Sequence, residues 1–128
     1  MMIIELQPYG GKPIYEQLIL EIKRGIITGE LVPGEPLPSV RNLASDIGIN
    51  MHTVNKVYKY LQNENILLKQ KTGFIVNPDQ LIEPTPATMA TIRQQIYELM
   101  IEKHLHHLTD GEIVAIMADV SAEIFKKE

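Results

Sequence analysis

What most constrains this chain is a three-residue interruption, Gly48-Ile49-Asn50, between two short stretches of helical period. Glycine weakens a helix and readily takes the left-handed conformation, while asparagine is a favoured helix N-cap. A helix capped by Ser39, after Pro38, is therefore predicted to run through Asp46 and stop at Gly48, and a second to start at Asn50 and run to about Asn63. A turn this short sets the second helix across the first, the helix-turn-helix arrangement. In the second helix, Val54, Val57, Tyr58 and Leu61 share one face and would be buried. His52, Asn55, Lys56, Lys59 and Asn63 share the opposite face, with Met51 at its edge.

The flanks fit the same plan. After Pro13, the residues Ile14, Leu18, Ile22 and Ile26 recur at i+4 spacing, and Gly29 is the expected stop. Val32-Pro33-Gly34-Glu35-Pro36 cannot be helical and reads as a turn. Beyond the second helix, Ile66-Leu67-Leu68-Lys69 and Phe74-Ile75-Val76 read as strands joined through Gln70-Lys71-Thr72-Gly73, a hairpin with a basic tip. A helix-turn-helix followed by a hairpin is a winged helix-turn-helix. It is expected to occupy 1–77, with a linker over 78–85, where Pro78 and Pro84 lie. A helical tail follows over 86–128. Thr85 caps a helix with Pro86 at its first position, expected to reach about Leu108, with a packing seam of Met89, Ile92, Ile96 and Leu99. Thr109 and Glu112 form a capping box for a last helix whose apolar face is Ile113, Ile116, Met117, Val120 and Ile124. The fold class is mainly α with a small β-hairpin: a winged helix-turn-helix domain plus a short C-terminal two-helix tail.

The net charge of -4 argues at first against a nucleic-acid partner. It is unevenly spread. Residues 1–78 carry eight basic and seven acidic side chains, residues 79–128 four and nine, and within 39–76 the balance is five basic to two acidic. Such asymmetry points to one part facing a polyanion while the other does something else. There is no cysteine, which excludes disulfides, thiol catalysis and cysteine–zinc sites. No apolar run approaches the ~18 residues of a membrane span, and Met1-Met2-Ile3-Ile4-Glu5 has no signal-peptide character, so a cytoplasmic protein without a membrane partner is expected. Ser39, Ser45 and Ser121 have no nucleophile-elbow context and no phosphate-binding loop is present, so the chain is not expected to be an enzyme.

The outward face of helix 50–63 suits a DNA major groove, where Asn pairs with adenine, Lys with guanine or phosphate, and Met51 meets a thymine methyl. Arg41, in the first turn of the preceding helix, is a candidate clamp at the groove edge. The Thr53 hydroxyl and the amides beside it could hold a phosphate oxygen. Lys69 and Lys71 can pair with phosphates, and Gly73 permits a tight turn or close backbone approach. Ser39, Asn50 and Thr72 complete the candidate DNA-binding set. In the tail, Met89, Ile92, Ile96, Leu99, Ile113, Ile116, Met117 and Val120 are too many apolar positions for two isolated helices to bury, so a partner chain is expected there. His104 and His107 have i, i+3 spacing with Glu98 and Glu102 nearby, but they also lie where imidazolium favours a helix C-terminus. No metal or other cofactor is predicted. An alternative function remains, in which the C-terminal helices form a metal- or small-ligand-sensing module.

Pro13-Ile14-Tyr15-Glu16-Gln17-Leu18, the block Gly34-Glu35-Pro36-Leu37-Pro38-Ser39-Val40-Arg41-Asn42-Leu43-Ala44 and the helix through Thr53-Val54-Asn55-Lys56-Val57-Tyr58 and Leu61 occur in an order and spacing that resemble the GntR family of bacterial transcription regulators, over about residues 10–77. The two-helix tail resembles the YtrA subfamily. The resemblance implies DNA contact at Arg41, at positions 50–53 and 55, and at the wing glycine Gly73, and it implies that the tail makes the dimer. Met51-His52 stand where the family often has a basic residue, and Asn65 stands where it usually has Gly; Asn can take the same left-handed conformation. The expected function is a homodimeric repressor on a double-stranded, pseudo-palindromic DNA operator, with half-sites about one helical turn or a multiple apart; an unidentified small-molecule effector is a candidate further partner, and the sequence does not decide whether there is one.

Overall fold

The computed structural model describes residues 4–7 and 11–126. In chain order the elements are α1 (Ile14–Thr28), α2 (Val40–Ile47), α3 (Met51–Asn63), β1 (Leu67–Gln70), β2 (Gly73–Val76), α4 (Pro86–Leu105) and α5 (Asp110–Ile124). The chain divides between Glu83 and Pro84 into two compact units. The division falls inside the proline-marked stretch 78–85.

In the first unit, the helix ends follow from side-chain chemistry. Ser39 caps α2 by accepting from the Asn42 N–H at 3.0 Å, and Asn50 caps α3 by accepting from the His52 N–H at 2.7 Å. Between them Gly48 sits at φ 71°, and the Ile49 N–H returns to the Ala44 carbonyl at 3.0 Å, which closes α2 and turns the chain. Asn65 does take the left-handed conformation, at φ 63°, while the Asn65 and Ile66 amides bond back to Gln62 and Leu61. That pair of bonds seals α3 and launches β1.

The hairpin is tighter than predicted. Gln70 and Gly73 are themselves the last paired positions of the β1–β2 ladder, so the turn is Lys71-Thr72 alone, with Gly73 at φ 145°. The segment predicted as a turn also does more than turn. Pro36 pairs with Ile75, the Leu37 N–H donates to the Phe74 carbonyl at 2.8 Å, and the Val76 N–H donates to the Glu35 carbonyl at 2.9 Å. Residues 35–37 thus bridge to the outer side of β2 at a single position, where a proline without an N–H is tolerated, and the sheet itself stays two-stranded.

The core of this unit joins Leu18 and Ile22 of α1, Leu31, Leu43 and Ala44, all four apolar residues predicted for α3, and Leu67, Phe74 and Val76 of the hairpin. Ile14 and Ile26, predicted on the buried stripe of α1, are only partly covered.

In the second unit, Thr85 accepts from the Thr88 N–H at 3.1 Å with Pro86 at the first helical position, and the Thr109–Glu112 capping box is fully formed. The helix predicted to reach about Leu108 ends at Leu105 instead. His107 adopts φ 55°, and the Leu108 and His107 amides bond back to Lys103 and His104, a left-handed closure for which no glycine gives notice. No described residue of α4 or α5 is buried. Lys127 and Glu128, included in the predicted tail, lie outside the described residues.

Candidate nucleic-acid interface

The candidate interface is built on α3. Its inner face is fully committed: Val54, Val57 and Leu61 are at 0% exposure and Tyr58 at 1%. The outer face follows by rotation. Met51, His52, Lys56, Lys59 and Asn63 are exposed, and Thr53 and Asn55 are half-buried at its margins. With no buried partner for these side chains, the face offers two ammonium groups and a row of donors to whatever fills the space beside it.

Tyr58 sets the position of this helix in a way that its place in the core does not announce. Its hydroxyl donates to the Pro38 carbonyl at 2.8 Å, just before the Ser39 cap, and its ring packs edge-on against Phe74 of β2 at 5.2 Å between centroids. One side chain thereby fixes the start of α2, and with it the exposed Arg41, relative to α3 and the hairpin. Burial pushes the Tyr58 phenol well above its ordinary range, which keeps the donor protonated. At the other end of α3, Glu64 is only 8% exposed and pairs with Lys23 of α1 at 2.9 Å. Lys23 also lies over the Tyr60 ring, 5.5 Å from its centroid, and Tyr60 meets Tyr15 edge-on. Spacing alone singles out neither anchor, because each joins residues from separate elements.

Two candidate residues are already engaged within the chain. Asn50 is the α3 cap, and its carbonyl accepts from the Thr53 N–H at 3.0 Å, so for a phosphate at this helix start Thr53 has its hydroxyl to offer and not its amide. Ser39 likewise caps α2. In the hairpin, Lys69 rests its ammonium over the Phe74 ring at 4.7 Å, while Lys71 and Thr72 form the exposed tip. The cation–π contact holds Lys69 against the strand without neutralising it.

In the tail, His104 and His107 do not share a helical face, since His107 lies beyond the end of α4. His106 Nε2 is 3.1 Å from Glu102, and Lys103 pairs with Asp110 at 3.0 Å. Among the described residues no group of three or more potential ligands is placed to hold a metal ion, and no helix is long and apolar enough to cross a membrane.

A recognition-type helix, its short Gly-containing turn and a hairpin wing with a two-residue turn define a winged helix-turn-helix of the DNA-binding kind. Residues 14–76 match the family described as bacterial regulatory proteins, gntR family. Over 123 residues, 95% of this chain and 95% of the relative, the sequence is 31% identical to the HTH-type transcriptional repressor YtrA of Bacillus subtilis (strain 168). The chain belongs to the GntR family. Among solved structures it is similar to a GntR-family transcription factor, YtrA from Sulfolobus acidocaldarius, at 37% identity and a TM-score of 0.64 over 77% of this chain and 98% of that one. It is also similar to a protein described as a transcriptional antiterminator from Listeria monocytogenes EGD-e, at 26% identity and a TM-score of 0.86 over 98% and 95%.

Proposed function

We propose that this DNA-binding transcriptional regulator acts as a homodimeric repressor that places α3 of each protomer in the major groove of a pseudo-palindromic operator. The outer face of α3 carries the reading: its exposed His52, Lys56 and Lys59 lie behind a helix-turn-helix turn and beside a basic wing. Arg41 and Asn55 are assigned to base edges, with Lys56 and Lys59 to bases or phosphate. Lys71, Lys69 and Gly73 of the wing are assigned to the backbone or adjacent minor groove. The dimer is supported by the tail, where Met89, Ile92, Ile96, Leu99, Ile116, Met117 and Val120 are all exposed in one protomer, an apolar surface that a second copy would cover. The net acidity of the tail favours holding it away from the duplex.

Selection of bound duplexes from a random library tests this directly. An inverted repeat with half-site centres about one helical turn or a multiple apart is expected. Arg41→Ala should cost on the order of 1–3 kcal/mol on the selected site and relax preference at one base position. Enrichment of a single unrepeated site, or of nothing, would refute the dimeric arrangement.

A further inference from the structure

A cavity of about 550 Å³ is lined by α1, α2, the segment leading into α2 and Ile4. Its lining is mostly aliphatic, with partly covered Ile4, Leu37 and Ile47 over the buried Ile22, Leu31 and Leu43. Two charged side chains line it, Glu35 and Asp46, and both are acidic. Its size lies within the ~300–1,000 Å³ of small-molecule sites. The Glu35 carboxylate is held in place because one oxygen accepts from the Val32 N–H at 3.0 Å. The basic side chains of this unit that are assigned to DNA, on α2, α3 and the hairpin, do not line the cavity.

We propose that this cavity binds an amphipathic amine: a small molecule with an apolar body and a protonated nitrogen. An apolar body would lie against the aliphatic lining, and the ammonium would meet an acidic side chain, Glu35 or Asp46. A carboxylate or phosphate ligand would meet like charge. A neutral apolar ligand would take water from Glu35 and Asp46 and return no partner. The site stands on the fold of the first unit alone and is independent of the assignment of α3 to DNA.

The test uses the full chain without DNA. Side-chain methyl resonances are followed by NMR while 4-phenylbutylamine is titrated, with 4-phenylbutanol and 4-phenylbutyrate as neutral and anionic matches. Saturable shifts confined to Ile22, Leu31, Leu43 and Ile47 are expected with the amine. Its affinity should exceed that of the alcohol by about fivefold, the scale of partly exposed ion pairs, and the acid should not bind. Asp46 is exposed, so Asp46→Asn should keep the fold and bring the amine close to the alcohol. Glu35→Gln, whose side-chain oxygen can still accept from Val32, provides a second variant. Equal affinity for amine and alcohol in the unaltered protein, shifts at other methyls, or an amine preference that survives both substitutions would each overturn the proposal.

Discussion

The two units spend similar apolar material in opposite ways. Residues before Glu83 wrap α1, α2, α3 and the hairpin around a closed core, with Leu18, Val54, Val57, Leu61 and Leu67 at 0% exposure. Beyond Pro84 none of the described residues is buried, although apolar side chains are at least as dense. On α4 they even fall on two opposite faces at helical spacing, Met89, Ile92, Ile96 and Leu99 on one and Tyr97, Ile101 and Leu105 on the other. A helix that is apolar on more than one side expects more than one neighbour. The first unit is therefore closed around its own core, whereas the second leaves its apolar faces uncovered.

The sharpest way to break that contrast is Ile96→Glu, at a position 50% exposed in the protomer. Two-fold symmetry would bury the new carboxylate twice, at several kcal/mol each, so the dimer should weaken by on the order of 10³-fold or more. Sedimentation equilibrium checks this, with gel shifts on the selected operator in parallel. An unchanged dimer would show that this seam is not the interface. Next in size is Leu61→Ala in the closed core, expected to cost about 2–5 kcal/mol in urea unfolding. A loss below 1 kcal/mol would mean the site collapses around the missing side chain and that the core is less tightly specified than its exposures imply.

What the sequence made legible was local. Ser39, Asn50, Thr85 and Thr109 declare helix starts because a capping side chain bonds within its own first turn, and Gly48 declares a stop for the same short-range reason. The inner face of α3 was legible because period alone defines it. The bridge beside β2 was not, since pairing of Pro36 with Ile75 joins backbone groups far apart in sequence and a proline-rich run looks like a turn from inside. The early end of α4 was hidden because a histidine occupies the left-handed position that glycine normally marks. At the candidate interface, the residues that face outward could be listed from the pattern. The Tyr58–Pro38 and Lys23–Glu64 ties that orient them needed the tertiary fold.

The left-handed residues offer a smaller, two-sided comparison. Gly48 has φ 71° and open space where a Cβ would stand, so Gly48→Ala should cost about 1 kcal/mol from backbone strain alone. His107, at φ 55° in the tail, is the reverse case: His107→Gly should relieve strain and gain a few tenths to about 1 kcal/mol. Thermal melts at fixed protein concentration read both. Equal and opposite shifts would show that each closure is limited by its backbone conformation and not by the contacts around it.

The finest distinction is in pH. Burial raises the Tyr58 phenol above its ordinary value of 10.0, so the folded state holds that proton more tightly than the unfolded chain does. Its contribution is complete below pH 10 and is lost as pH rises from there toward the folded value. In the tail, the hydrogen bond and charge of Lys103 hold the Asp110 carboxyl below its ordinary 3.8. Here the contribution is complete above that value and fades as pH falls through the lower, folded one. Tyr58→Phe, which also gives up a hydrogen bond of about 1 kcal/mol, should flatten the alkaline limb of a plot of Tm against pH. Asp110→Asn should lower Tm slightly above pH 3.8 and flatten the acid limb, the effect staying small because the Asp110 side chain is exposed. If Asp110→Asn instead produced a large loss at neutral pH, that carboxylate would have to be covered in the assembled protein, and a tail dimer would extend from the apolar seam across the α4–α5 turn.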